Sequence, residues 1–169
     1  EEMAKADAGF FTTMSVANLA LKPLVIGGRN DLAQKAADIL MEGGYGAFCL
    51  TEPMAGSDAS NNKTTAVKDG DDYVINGRKC FITNGGVADF YIVTAMTDKS
   101  KGVKGMSAFY VEKGTAGLSV GNEENKMGIR TSNTTDVVFE DMRVPASALI
   151  GKEGEGFKIA MQTLDMARA

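Results

Sequence analysis

Apolar residues recur along this chain in two rhythms, which divide it into three parts. In the first, Leu32, Ala36, Ile39 and Leu40 share one face at helical spacing behind an Asn30/Asp31 start signal, and Gly43-Gly44 ends the run. Met3 to Leu21 predicts a second helix, broken before Pro23 and Gly27-Gly28. From residue 45 the rhythm shortens. Runs rich in Val, Ile, Phe, Tyr and Thr (TTAV, YVING, KCFIT, ADFYIVTA, MSAFYVEK, GLSV and TDVVFE) alternate with Gly, Asp, Asn and Lys turns. Strands about ten residues apart with no helix between them predict an antiparallel sandwich or small β-barrel. A parallel dinucleotide-binding fold is excluded, because it needs helices between its strands. Residues 121–134 read as a polar loop. Helical spacing returns after the GKEGEG turn with Phe157, Ala160, Met161 and Leu164.

The fold class expected is therefore α+β. Helices occupy 1–44, a β domain 45–150, and the start of a further helical domain 151–169. No stop signal follows Leu164, so the chain is expected to be a piece of something longer.

Composition narrows the functions. The 169 residues are 44% hydrophobic and 24% charged, enough to bury a core without disulfides. The longest uncharged run, Ala8 to Leu21, has 14 residues and includes Thr12, Thr13, Ser15 and Asn18, too short and polar to span a bilayer. With no leader pattern either, a soluble chain is expected. The absence of histidine excludes a Ser-His-Asp triad, a Cys-His protease and a histidine zinc site within these residues. Cys49 and Cys80 form no CxxC pair and fit buried thiols in a reducing compartment. A net charge of −4 argues against a nucleic-acid surface or a polybasic membrane patch.

Two segments carry candidate chemistry. CLTEPMAGSD, Cys49 to Asp58, sets small and hydroxyl residues around a proline, so backbone N–H groups can approach an anion closely. A polar turn leaving a strand accounts for the same spacing. Ser57 is no nucleophile elbow: it lacks the following glycine and an activating histidine. In KCFITNGG, Lys79 to Gly86, Phe81 can cover a planar ring while Thr83 donates to it; a core phenylalanine at a strand end is the alternative. The DGDD around Asp71 lacks the spacing of a calcium loop, and GKEGEG lacks the strand–helix context of a dinucleotide fingerprint.

Several segments in register resemble acyl-CoA dehydrogenases, most closely the short-chain, butyryl-type branch. They are CLTEPMAGSD, VINGRKCFITNGGVADFYIV, SAFYVEKGTAGLSVG, KMGIR, DVVFEDMRVPASALIG and EGFKIAMQTLDMAR. The resemblance covers nearly the whole chain. It implies a three-part enzyme, of which this chain holds the end of the N-terminal helical domain, the middle β-barrel and the first C-terminal helix. It assigns FAD contacts to Phe48, Leu50, Thr51, Gly56 and Ser57, with Ser57 shared with acyl-CoA, and to Phe81, Ile82 and Thr83, with Thr83 near flavin N5. Asp165 and Arg168 match a D-x-x-R element that lines the substrate site.

The activity implied is FAD-dependent α,β-dehydrogenation of a short-chain acyl-CoA to trans-2-enoyl-CoA, with electrons leaving to electron-transferring flavoprotein. The base glutamate is expected beyond Ala169. A minority of the family carries it just before the arginine of D-x-x-R, and that position here is Ala167. The resemblance further implies a homotetramer in the complete enzyme, in bacterial cytoplasm or mitochondrial matrix. The alternative is a non-catalytic β-barrel module used for binding or assembly; the hydroxyls retained at Thr51, Ser57 and Thr83 favour the enzyme.

Overall fold

The computed structural model describes residues 2–168 of the chain, the side chain of Arg168 excepted. At the N-terminus, caps divide the helices. α1 (Glu2–Ala6) stops at Asp7, whose carboxylate accepts the Phe10 N–H at 2.8 Å and starts α2 (Ala8–Leu19). The single helix expected over Met3–Leu21 is thus two, because an aspartate that bonds nearby backbone competes with helix continuation. α3 (Lys22–Ile26) takes Pro23 into its first turn, where a missing N–H is harmless. α4 (Asn30–Met41) is preceded by Arg29, whose guanidinium bonds the Asp31 carboxylate at 2.9 and 2.6 Å, so Asn30 and Asp31 lie inside the helix instead of capping it. It ends at Gly43, with φ +91°, and the Gly44 N–H bonds the Ile39 carbonyl at 2.9 Å. By length and composition Ala8–Ile26 is apolar enough to cross a membrane (19 residues, mean hydropathy 1.3). Here that stretch is divided between α2 and α3, and Ala20 and Leu24 are buried under the sheet.

The strands are β1 (Gly46–Cys49), β2 (Thr65–Asp69), β3 (Asp72–Thr83), β4 (Phe90–Met96), β5 (Met106–Glu112), β6 (Leu118–Glu123), β7 (Thr134–Pro145) and β8 (Leu149–Ile150). They form one sheet in the order β6-β7-β3-β2-β4-β5-β8, with β1 beside β4. The expected barrel is not closed: β6 and β8 end the path without pairing to each other. Pairing is also mixed. β1 runs parallel to β4, and Thr65 makes a parallel bridge to Met96. The β2–β3 hairpin lies between β1 and β4 in sequence and gives the crossover that parallel neighbours need. YVING and KCFIT, expected as two strands, are one strand of 12 residues.

Both faces of the central strands are covered. Along β4, Tyr91, Val93 and Ala95 join Phe109, Val111, Phe139 and Met142 in one cluster, whereas Phe90 and Ile92 join Tyr110, Ala20, Leu24 and Ala36 in the helix-facing one. This two-sided burial explains the unbroken apolar run of ADFYIVTA. α5 (Gly156–Arg168) packs on α3, β4 and β5 through Gly156, Ile159, Ala160 and Thr163. Of the stripe predicted for it, Ala160 is buried, while Phe157, Met161 and Leu164 are half-buried. The shift follows from Gly156, where a β-carbon would meet the Ser107 backbone, and from Thr163, whose hydroxyl donates to the Ile159 carbonyl at 2.8 Å.

Candidate functional site

β3 and β7 slip register between Lys79 and Ile82. In a regular strand alternate residues share a face. Here the consecutive Lys79 and Cys80 are both buried, Phe81 turns outward at 65% exposure, and Ile82 returns to the core at 2%. Phe81 has φ +55°, the left-handed region that costs an ordinary residue roughly 1–2 kcal/mol. Bulges re-aim side chains in this way. The exposure rules out the core-phenylalanine alternative, and the bulge itself was not visible in the strand pattern.

Thr83, half-buried, closes β3 opposite Thr134. The next residue, Asn84 (φ +65°), is a buried clamp. Its Nδ2 donates to the carbonyls of Thr13 in α2 at 3.0 Å and Gly46 in β1 at 3.2 Å, and its N–H donates to the Asn133 carbonyl at 2.9 Å. Behind this turn, Asn84 Oδ1 and the hydroxyls of Thr13, Ser132 and Thr135 are buried without a partner among the described residues.

The 50–58 loop is tied to the bulge. The Thr51 carbonyl accepts the Cys80 N–H at 2.9 Å. Glu52 and Ala55 exchange N–H···O=C bonds of 3.3 and 3.0 Å around Pro53-Met54, which forms the turn that delivers Gly56 and Ser57 to the surface. The N–H groups of these two residues donate to no group among the described residues, and a β-carbon on Gly56 would meet nothing within 4 Å. Free N–H donors beside a hydroxyl suit a phosphate or an amide carbonyl.

Beneath the loop lies a buried polar cluster. Lys79 (0% exposed) donates through Nζ to Glu52 Oε1 at 2.8 Å, Asn62 Oδ1 at 2.6 Å, Thr94 Oγ1 at 3.1 Å and the Leu50 carbonyl at 3.3 Å. Glu52 (4% exposed) also accepts the N–H groups of Lys63 at 2.6 Å and Thr64 at 3.0 Å. Burial pulls the Lys79 ammonium down to about 8, against the opposing pull of the Glu52 carboxylate. Burial disfavours the Glu52 carboxylate, but Lys79 and the donors around it outweigh this and hold it below its ordinary range. The same burial pushes the Cys49 thiol up to about 12. Sequence reasoning missed Lys79 and Asn62; the available signal was a lysine inside an otherwise apolar strand.

Of the residues expected at the site, the structure gathers Thr51, Gly56, Ser57, Phe81 and Thr83 at the linked bulge and loop. Phe48 is half-buried against the helix-facing cluster. Leu50 is buried, and its carbonyl is taken by Asn62 Nδ2 at 3.1 Å and by Lys79. Ile82 offers almost no surface, because the residue after the bulge is returned to the core. Asp165 stands exposed on α5, an element packed against α3, β4 and β5. The Arg168 side chain lies outside the described residues.

An outward-turned aromatic ring, a hydroxyl two residues away and a loop with free N–H donors fit a planar heteroaromatic cofactor that carries phosphate. The chain belongs to the acyl-CoA dehydrogenase family, whose middle domain matches residues 47–142. Acyl-CoA dehydrogenases are FAD-dependent oxidoreductases. The chain is 53% identical over 171 residues to the short-chain-specific acyl-CoA dehydrogenase of Megasphaera elsdenii, covering 99% of this chain and 45% of that protein. The solved butyryl-CoA dehydrogenase of the same organism superposes with a TM-score of 0.94 at 52% identity, over 99% of this chain and 44% of that one. A chain from a structure presented as the electron transferring flavoprotein of Acidaminococcus fermentans, in work on flavin-based electron bifurcation, gives 0.92 at 52% identity, over 96% and 43%. This chain thus spans less than half the length of these relatives.

Proposed function

We propose that this chain forms the flavin-binding face of an enzyme that dehydrogenates short-chain acyl-CoA thioesters to trans-2-enoyl-CoA. One observation carries the reading: the Thr51 carbonyl accepts the Cys80 N–H, which ties the loop bearing the Gly56 and Ser57 donors to the bulge that turns Phe81 outward. FAD, when bound, supplies the hydride acceptor for the β-hydrogen of the substrate. Phe81 would hold its ring system by stacking, and Thr83 would offer a hydrogen-bond donor to it. Thr51 would bind the pyrimidine edge, and the Gly56 and Ser57 donors would hold phosphate, with the Ser57 hydroxyl shared with the thioester ligand. Asp165 and Arg168 contribute to the acyl-CoA site from the last helix.

The α proton needs a carboxylate within reach. Glu52 is unsuited: it is buried, ion-paired and bonded to two backbone N–H groups. The base is proposed to be a glutamate outside these residues. On this reading 1–44, 45–150 and 151–169 are the end of a helical domain, the β domain and the first helix of a second helical domain. The enzyme assembles as a homotetramer and passes electrons to electron-transferring flavoprotein.

The test is spectroscopic. The full gene product should take up FAD with visible flavin bands, and anaerobic butyryl-CoA should bleach them. A folded protein with no affinity for FAD overturns the reading and leaves a binding or assembly module as the alternative.

A further inference from the structure

We propose that Lys79 is a positioning residue for the 50–58 loop, holding Thr51 and the Gly56–Ser57 donors in register with Phe81. The inference rests on the flavin reading above and deepens it. The Lys79 ammonium is fully buried, and two of its four partners, the Leu50 carbonyl and the Glu52 carboxylate, lie on either side of Thr51. A third, Asn62, stands where the chain returns from the loop, and its own Nδ2 bonds the Leu50 carbonyl at 3.1 Å. The fourth, Thr94 in β4, donates to the Cys49 carbonyl at 3.3 Å, so the ammonium also fixes the end of β1. Lys79 lies two residues before Phe81, on the edge of the bulge. One charge therefore spans both halves of the site.

Stability does not explain this arrangement. Taking both ions out of water is costly, and a well-packed apolar pair of the same volume is often equally stable. A buried lysine whose three N–H donors are shared among four acceptors gives geometry instead: its bonds fix a loop whose tip, from Pro53 to Ser57 apart from Ala55, is exposed. Glu52 transmits the constraint. Its carboxylate is fixed by Lys79, Lys63 N–H and Thr64 N–H, and its backbone closes the turn with Ala55 that leads directly to Gly56.

The test uses the full gene product and the double variant Lys79→Met, Glu52→Gln, which removes the ammonium without stranding a buried charge. Far-UV circular dichroism and a melting curve check folding. The Kd for FAD is expected to rise at least about 10-fold, with an altered visible circular dichroism spectrum of the bound flavin, a signal that follows ring orientation and not stability. A Kd within about 2-fold of wild type together with a superimposable flavin spectrum overturns the inference. If the double variant fails to fold, Lys79→Gln alone takes its place, since it removes the ammonium while Glu52 keeps the Lys63 and Thr64 N–H donors. An unchanged flavin spectrum and Kd in that variant overturn the proposal equally, and a shift in both supports it. Wild-type protein that does not bind FAD overturns this inference and the proposed function together; normal wild-type binding with unaltered variants overturns this inference alone.

Discussion

Replacing Phe81 with asparagine separates what the ring does for the fold from what it does for a ligand. The backbone at this position has φ +55°. An L-residue with a β-carbon is disfavoured there by roughly 1–2 kcal/mol, and asparagine is among the few that tolerate it. Against this relief stands lost burial. The ring is 65% exposed, so only about a third of a phenylalanine's ~200 Å² is covered, worth ~1.8 kcal/mol at ~25 cal/mol per Å². The two effects nearly cancel, and the melting temperature should move by no more than about 4 °C. Flavin binding is another matter. On the proposed function, stacking would cover up to the remaining ~130 Å², worth at most ~3 kcal/mol, so the Kd for FAD should weaken by up to about two orders of magnitude. Differential scanning fluorimetry measures the first quantity and fluorescence titration with FAD the second. An unchanged Kd, or a fall in melting temperature above about 10 °C, would show that the ring serves packing and refute the reasoning.

Thr83→Val should leave the fold intact and slow anaerobic flavin reduction by about 10²–10³, the usual loss for one preorganised donor, as stopped-flow absorbance will report. Phe109→Ala empties a fully buried position that faces the Tyr73 ring at 5.0 Å, and urea denaturation should show a loss of about 3–5 kcal/mol. Because the folded protein holds Glu52 below its ordinary value of 4.5, this group contributes stability above that pH. That contribution disappears as pH falls through the lowered folded value. The urea midpoint should therefore decline below pH 4.5, less steeply in Glu52→Gln; equal slopes would remove Glu52 from the account.

The parts of the fold legible in the sequence were those that local rhythm determines. Short runs rich in β-branched and aromatic residues between turn signals marked the core strands, helical spacing marked α4, and Gly43 marked its end. What escaped depends on partners distant in sequence. The bulge at Cys80–Phe81 exists only because β3 is read against β7, and no pattern within KCFIT distinguishes an outward phenylalanine from an inward one. Asp7 resembled any polar residue in a helix until its carboxylate found the Phe10 N–H. The parallel pairing of β1 with β4 and the open ends at β6 and β8 are likewise topological. At the site, the motif residues Thr51, Ser57, Phe81 and Thr83 were visible as chemistry. Lys79 was not, because a lysine is normally assigned to solvent and only the three-dimensional meeting of Leu50, Glu52, Asn62 and Thr94 makes it interior.

Asn84 joins residues 71 and 38 positions away through its side chain, and Asn133 through its backbone. Such bonds cannot form from local structure, since the entropy of closing long loops must be met first. The turn that carries Thr83 is therefore expected to be completed only once α2, β1 and the segment before β7 have converged, which pulsed hydrogen exchange at the Asn84 amide would check. Ligand then binds the native state alone, and saturating it should raise the unfolding temperature and slow loss of the fold. Cofactor supply would thus act on the survival of newly made protein as well as on its activity.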